Sequence, residues 1–340
     1  SQSDEVQENF TLQTDFIGEF QTGSINHQLL VGVELNRSRF AFEFFQGPLD
    51  SIDIFDPQYG AVPGAFAPSF GSDRRTNAIG LYVQDLIEIL PNLNLLAGVR
   101  FDWSDSSRIN LLTGEETNSP TDFAPSPRVG IVYQPTDSPS LYFNWARSFV
   151  PQIGRNRTDE AFEPTRGEQF EVGVRQELFD NRLVANLALY DITKSNVLTS
   201  DPVDPRFRIQ TGEQTSRGIE LDVAGEILPG WNIIASYAYT DAFVSEDNNI
   251  PEGESLPGIP RHSASFWTTY EIQQGDLQGL GFGAGLVFEG DRPVRLPNAI
   301  DIPSYLRADA SLFYERDNWR AALNFKNLFN TEYYETQGFL

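Results

Sequence analysis

The side chains best equipped for chemistry are few in this 340-residue chain. Histidine occurs twice, at His27 and His262, each near the start of a separate candidate strand. A zinc site needs three or four ligands from the protein, and neither histidine has companions at ligand spacing, so both are read as structural. With no cysteine there is no thiolate metal site, no disulfide and no Cys-His nucleophile. No Gly-x-Ser-x-Gly elbow is present. Carboxylates are plentiful, 48 Asp and Glu against 24 Lys and Arg, so pairs such as Asp102 and Asp105 are uninformative. The run Gly279-Leu280-Gly281-Phe282-Gly283-Ala284-Gly285 is followed by no helix pattern and is not a phosphate loop. The chain is read as a non-enzyme with no metal and no cofactor. Its net charge of -24 excludes a nucleic-acid partner, which needs clustered Lys and Arg.

Recognition is the remaining chemistry, and it is aromatic: 26 Phe, 12 Tyr and 5 Trp. Phe44, Phe45, Phe55, Tyr59, Phe66 and Phe70 crowd a stretch from Phe44 to Arg75 that also holds four prolines and reads as a long loop. Rigid aromatic anchors bury much area at little entropic cost, which favours capture of a specific ligand over free diffusion. The acidic residues gather in the loops, at Asp50, Asp53 and Asp56 in this one and at Glu115, Glu116, Glu246, Asp247, Glu252 and Glu254 in others, where solvation of the loops explains them.

The elements that would carry these loops are amphipathic strands. In Gly167 to Leu178, Phe170, Val172 and Val174 share one parity while Gln169, Glu171 and Arg175 share the other. Leu183 to Val197 repeats the alternation, with Leu183, Ala185, Leu187 and Leu189 facing one way and Asn186, Tyr190 and Lys194 the other. The turn Phe179-Asp180-Asn181-Arg182 joins them into a hairpin. Their far ends run into long Pro-rich segments, 151–164 and 199–208. Strands are likewise expected over 9–22, 25–43, 77–89, 94–105, 123–134, 141–149, 207–226, 231–242, 261–271, 280–289, 305–314 and 319–329. That makes fourteen in seven hairpins.

Short turns at one end and long loops at the other are the asymmetry of an all-β, antiparallel transmembrane β-barrel in an outer membrane. No run approaches the roughly 18 to 20 apolar residues of a membrane helix. Arg100 and Asp102 on the wet parity belong in a polar lumen rather than in lipid. A diffusion porin, a gated transporter, an outer-membrane enzyme and an adhesin all remain compatible with such a wall.

Several stretches resemble TonB-dependent outer-membrane receptors. They include Gly80 to Asp85 (GLYVQD), Leu96 to Asp102 (LAGVRFD), Pro127 to Gly130 (PRVG), Gly167 to Arg175 (GEQFEVGVR), Arg217 to Leu221 (RGIEL), Tyr237 to Asp241 (YAYTD) and Asn327 to Tyr334 (NLFNTEYY). Asp191 to Val197 (DITKSNV) and Ile259 to His262 (IPRH) look most like the ferric-hydroxamate, ferrichrome-receptor branch. The resemblance covers nearly all 340 residues and implies one barrel domain over 1–340.

It also implies a 22-stranded barrel filled by an N-terminal plug, importing a ferric siderophore with energy from the TonB-ExbB-ExbD system, in contact with outer-membrane lipid and lipopolysaccharide. A receptor for cobalamin or an oligosaccharide, and a passive porin, are the alternatives. The chain has no methionine, even at position 1, and is expected to be a portion of a longer protein. The resemblance implies that plug, TonB box, early strands and closing strand lie outside this chain, and that its first strand would be the family's eighth. Iron would arrive already saturated by its siderophore. The ligand contacts implied by the family's aromatic mouth are Phe44, Phe45 and Phe339, then Tyr59 and Tyr334.

Overall fold

The computed structural model describes residues 1–49, 51–53, 55–57, 59–60, 62–118 and 121–334. Within them the chain is all strand and loop: β1 (Gln2–Thr22), β2 (Ile25–Gln46), β3 (Ala67–Leu90), β4 (Leu93–Asn110), β5 (Glu116–Asn118), β6 (Asp122–Tyr133), β7 (Ser140–Val150), β8 (Thr165–Leu178), β9 (Leu183–Ser200), β10 (Arg208–Leu228), β11 (Trp231–Glu246), β12 (His262–Glu271), β13 (Leu280–Glu289), β14 (Arg292–Pro293), β15 (Asp301–Ile302), β16 (Tyr305–Arg316) and β17 (Trp319–Phe325). Fourteen of them form one antiparallel path, β1-β2-β3-β4-β6-β7-β8-β9-β10-β11-β12-β13-β16-β17, with β5 hung on β4 and β14 paired with β15. The expected strand number and nearest-neighbour order both hold.

Register explains why the alternation matters. Leu12, Leu35, Ile79, Trp103 and Phe123 are successive partners across five strands, and so are Phe16, Val31, Val83, Val99 and Pro127. These rows build an outer apolar face on which Phe10, Leu12 and Phe16 are 68%, 64% and 70% exposed. At about 25 cal/mol per Å² such a surface is untenable in water, so it requires lipid. Phe10 and Phe20 are ten residues apart on β1, roughly 33 Å of strand. At a tilt of about 40° that spans about 25 Å, the height of an outer-membrane apolar band. Trp231, Tyr270 and Phe282 form a second exposed aromatic row beside the short turns.

Several boundaries differ from the expectation: β4 runs on to Asn110, β9 to Ser200 and β11 to Glu246, and four others are more informative. β1 starts at Gln2, not Asn9, because residues 2–8 continue the ladder with Arg39 to Phe45 and satisfy their backbone groups there. β2 runs to Gln46 and β3 begins at Ala67, so the long loop is 47–66 rather than 44–75. Pro68 had made this segment look like loop, yet it sits opposite Phe45 at a bulge, a place where the missing N–H is tolerated. Finally, β17 stops at Phe325 instead of Phe329, because Asn327 and Asn330 take φ of 59° and 50° and turn the chain back.

Pro125 and Pro127 mark another break. β6 pairs with β4 along its length, but with β7 only from Arg128 onward. Proline has no N–H to offer β7, so the two strands separate there.

Candidate ligand-binding mouth and inner wall

The inner face carries the opposite set of side chains. Arg100 sits at its centre, donating from Nε to both oxygens of Asp102 (2.8 and 2.9 Å) and from its two terminal nitrogens to Glu34 (3.2 and 3.3 Å). Its guanidinium also lies over the Tyr82 ring, 5.6 Å from the centroid. The expected placement of Arg100 and Asp102 in a polar interior is what the register produces.

Inner-face glycines recur opposite large rings. A Cβ added at Gly32 would clash with the Tyr82 ring, one at Gly173 with that of Tyr142, and one at Gly281 with that of Phe313. Trp267 covers Gly285 in the same way and approaches a Cβ at Gly283 to 2.7 Å. The glycine run 279–285 is thereby explained. Its glycines leave room for rings that lie along the wall rather than projecting from it, as aromatic residues do over strand glycines. Tyr82 is held flat by Gln13, which donates to its hydroxyl at 2.9 Å, and by donating in turn to Asp15.

Toward the long loops this face becomes aromatic. Phe40, Phe42 and Phe44 share the parity of Glu34 on β2, and Phe44 is the direct partner of Phe70. Phe42 and Phe70 are 6.2 Å apart between centroids, tilted by 51°. Of the ligand candidates, Phe44 therefore joins a phenylalanine cluster on the inner face, whereas Phe45 lies on the opposite face of the same strand. Both are half-buried wall residues and not part of a loop. Tyr59 stands 84% exposed on the loop that β2 and β3 carry. Tyr334 is at the other edge of the sheet, its carbonyl accepting from the buried Arg292 at 2.7 Å while its ring stays exposed. Phe339 lies outside the described residues.

The cluster members Phe40, Phe42 and Phe70, and the inner-face cations Arg74 and Arg108, were not among the expected site residues. Carrying the Glu34 and Asn36 parity along the rest of the expected strand to residue 43 would have found the first two.

The neighbouring loops are tied to each other. Arg157 reaches Asp201 at 3.3 Å, Gln210 donates to the carbonyl of Glu163 at 2.5 Å, and Asn248 donates to both Thr199 (2.8 Å) and Thr211 (2.7 Å). The N–H of Val203, the Arg157 guanidinium and the N–H of Asp204 hold the Asp201 carboxyl below the ordinary carboxylate range, against the opposing effect of burial. The side chains of Asn156 and Thr158 do the same for Glu160. The turn after β17 is pinned to β16 by Asp309, which accepts from the N–H of Asn327 at 2.8 Å, and Tyr333 stacks on Tyr305 at 4.6 Å.

Neither histidine approaches this mouth. His27 stacks on Phe20 and bonds Asp85 at 2.7 Å, and His262 bonds Tyr237 at 3.0 Å.

Comparison with known proteins decides the family. The family described as TonB dependent receptor-like, beta-barrel, matches residues 1–328. The chain belongs to that family. It is 36% identical over 339 residues to the metal-pseudopaline receptor CntO of Pseudomonas aeruginosa, covering 95% of this chain and 47% of that protein. It is 31% identical over 343 residues to the ferrichrome outer membrane transporter/phage receptor of Escherichia coli, covering 97% and 46%. The siderophore receptor PiuA of Acinetobacter baumannii has the same fold, with a TM-score of 0.84 at 24% identity over 98% of this chain and 53% of that one. The chain thus spans about half the length of the curated relatives it matches. As a TonB-dependent receptor barrel it is an outer-membrane protein, and these relatives are transport receptors rather than enzymes.

Proposed function

We propose that residues 1–340 are the barrel portion of a receptor that imports a metal bound to a siderophore. The observation that supports this best is the phenylalanine cluster on the inner face at the loop end, above a charged wall and inside a family of nutrient receptors. An aromatic mouth captures a ligand, and a polar wall lets it pass once released. The energy would come from TonB-ExbB-ExbD acting through a plug, with lipid and lipopolysaccharide against the outer face. The protein need supply no iron ligand, because the siderophore does. The hydroxamate type rests on residues 191–197 and 259–262 alone, while the relatives include receptors named for pseudopaline, ferrichrome, ferrioxamine B and catecholates.

Iron-limited growth of a strain lacking the complete gene, supplied in turn with ferric siderophores and with cobalamin as control, tests this reading. Growth restored by the cloned gene on one ferric siderophore, and lost again without TonB, is the expected result. Rescue of cobalamin uptake alone, or steady ion conductance without TonB, would transfer the assignment to another nutrient or to a porin.

A further inference from the structure

Arg74 and Arg108 are direct register partners on β3 and β4. Arg74 shares the parity of Thr76, Gly80 and Tyr82, and Arg108 that of Asp102 and Arg100, so both stand on the inner face. One row across the mouth reads Gln7, Phe40, Arg74, Arg108, Thr117. The row above it holds Glu5, Phe42, Ser72 and Asn110, and the phenylalanine cluster continues there to Phe70 and Phe44. Both arginines are exposed.

The contrast with their neighbours is the informative point. On the outer face, Arg39 and Arg75 share the carboxylate of Asp73 at 3.0 Å each, and Arg39 also reaches Glu8 at 3.4 Å. Arg100, lower on the inner face, takes Asp102 and Glu34. Arg74 and Arg108 have no ion-pair partner among the described residues, in a chain carrying twice as many carboxylates as cations. Like charges directly opposite on adjacent strands destabilise a sheet, so the pair costs stability unless an anion sits between them. Guanidinium forks match planar oxyanions, and the adjoining phenyl rings offer stacking surface to a planar chelator.

We propose that Arg74 and Arg108 are an anion-recognising pair, and that the metal complex received at this mouth is anionic, chelated through carboxylate or catecholate oxygens. The inference rests on the siderophore reading above and narrows it away from a neutral hydroxamate complex, which would leave the two charges facing each other.

The test uses the receptor from the complete gene in outer membranes, with radioactive iron as ferric citrate, as a ferric tris-catecholate and as a neutral ferric tris-hydroxamate. The intact receptor is expected to bind at least one anionic complex, more weakly as salt rises. R74Q/R108Q should lower that affinity about 10- to 100-fold, the range for lost hydrogen bonds between charged groups. R74K/R108K, which keeps both charges but not the forks, should retain part of it. The Gln variants remove a repulsion and should fold, which circular dichroism checks. Unchanged affinity and salt dependence in a folded R74Q/R108Q overturns the inference. Binding of the neutral complex alone also overturns it while leaving the siderophore reading intact, whereas binding of none of the three overturns that reading too.

Discussion

The ring of Tyr82 occupies the space that a Cβ at Gly32, its direct partner on the neighbouring strand, would need. Gly32 is thus a packing requirement of Tyr82, and the two positions are coupled. Gly32→Ala forces the ring off the wall and away from Gln13 and Asp15, at about 1–3 kcal/mol for an overpacked contact. In a Tyr82→Ala background the same change should be neutral or stabilising by up to about 1 kcal/mol, because alanine orders a strand at lower entropic cost than glycine. Unfolding of the four proteins in detergent closes the cycle. Equal costs in both backgrounds would show that the ring and the glycine do not interact.

Arg100 neutralises two inner-wall carboxylates at once. Arg100→Met keeps most of the volume but leaves Asp102 and Glu34 facing each other without a counter-charge. The group is only partly buried, so a loss of about 1–3 kcal/mol is expected rather than the larger figure for a fully buried pair. Adding Asp102→Asn and Glu34→Gln to that variant should recover part of the loss. If Arg100→Met alone leaves the protein as stable as the parent, solvent screens the carboxylates fully.

Much of this was legible in the sequence alone, for a physical reason. Period-two alternation in Gly167 to Leu178 or Leu183 to Val197 has one structural solution, so strand number, order and the inward placement of Arg100 and Asp102 followed from it. The end of β2 was harder to read. Phe44 and Phe45 are apolar on both parities, and Pro48, Pro57, Pro63 and Pro68 signal loop, so the ladder between residues 39–46 and 67–75 was hidden by composition. The pairing of Arg74 with Arg108 depends on register between strands, which a single strand's pattern does not encode. The NLFNTEYY stretch misled in the other direction, since its apolar residues suggested strand while its asparagines make the turn.

The tie between loops 151–164 and 201–207 should depend on pH through Asp201. Its carboxyl is held below the ordinary range by the N–H of Val203, the Arg157 guanidinium and the N–H of Asp204. A depressed folded-state pKa means that the stabilisation is complete above the unfolded value, about 4, and is lost as pH falls through the folded one. Amide protection in the two loops, taken relative to the intrinsic exchange rate at each pH, should therefore hold from pH 7 to about 4 and fall below it. Asp201→Asn removes the charge but keeps the shape, so exchange should be faster at pH 7 and the acid step should vanish. An acid step of the same size in the Asn variant would assign it to other carboxylates.

The turn that follows β17 tests how asparagine chemistry ends this sheet. Asn327 has φ of 59°, and its side chain both accepts from the N–H of Thr331 at 2.8 Å and donates to the carbonyl of Thr331 at 2.9 Å. That closed ring positions Tyr333 against Tyr305 and under the Arg307 guanidinium. Asn327→Ala loses both hydrogen bonds and keeps a Cβ in the left-handed region without the local side-chain bonding by which asparagine tolerates it, a strain of about 1–2 kcal/mol. Asn327→Gly loses the same bonds without that penalty, so glycine should be the milder substitution by about 1 kcal/mol. Both should speed proteolytic cleavage in the 326–334 segment, alanine more than glycine. Equal rates for the two variants would mean that the side-chain bonds alone hold the turn, and wild-type rates in both would mean that Tyr333, stacked on Tyr305, holds it without them.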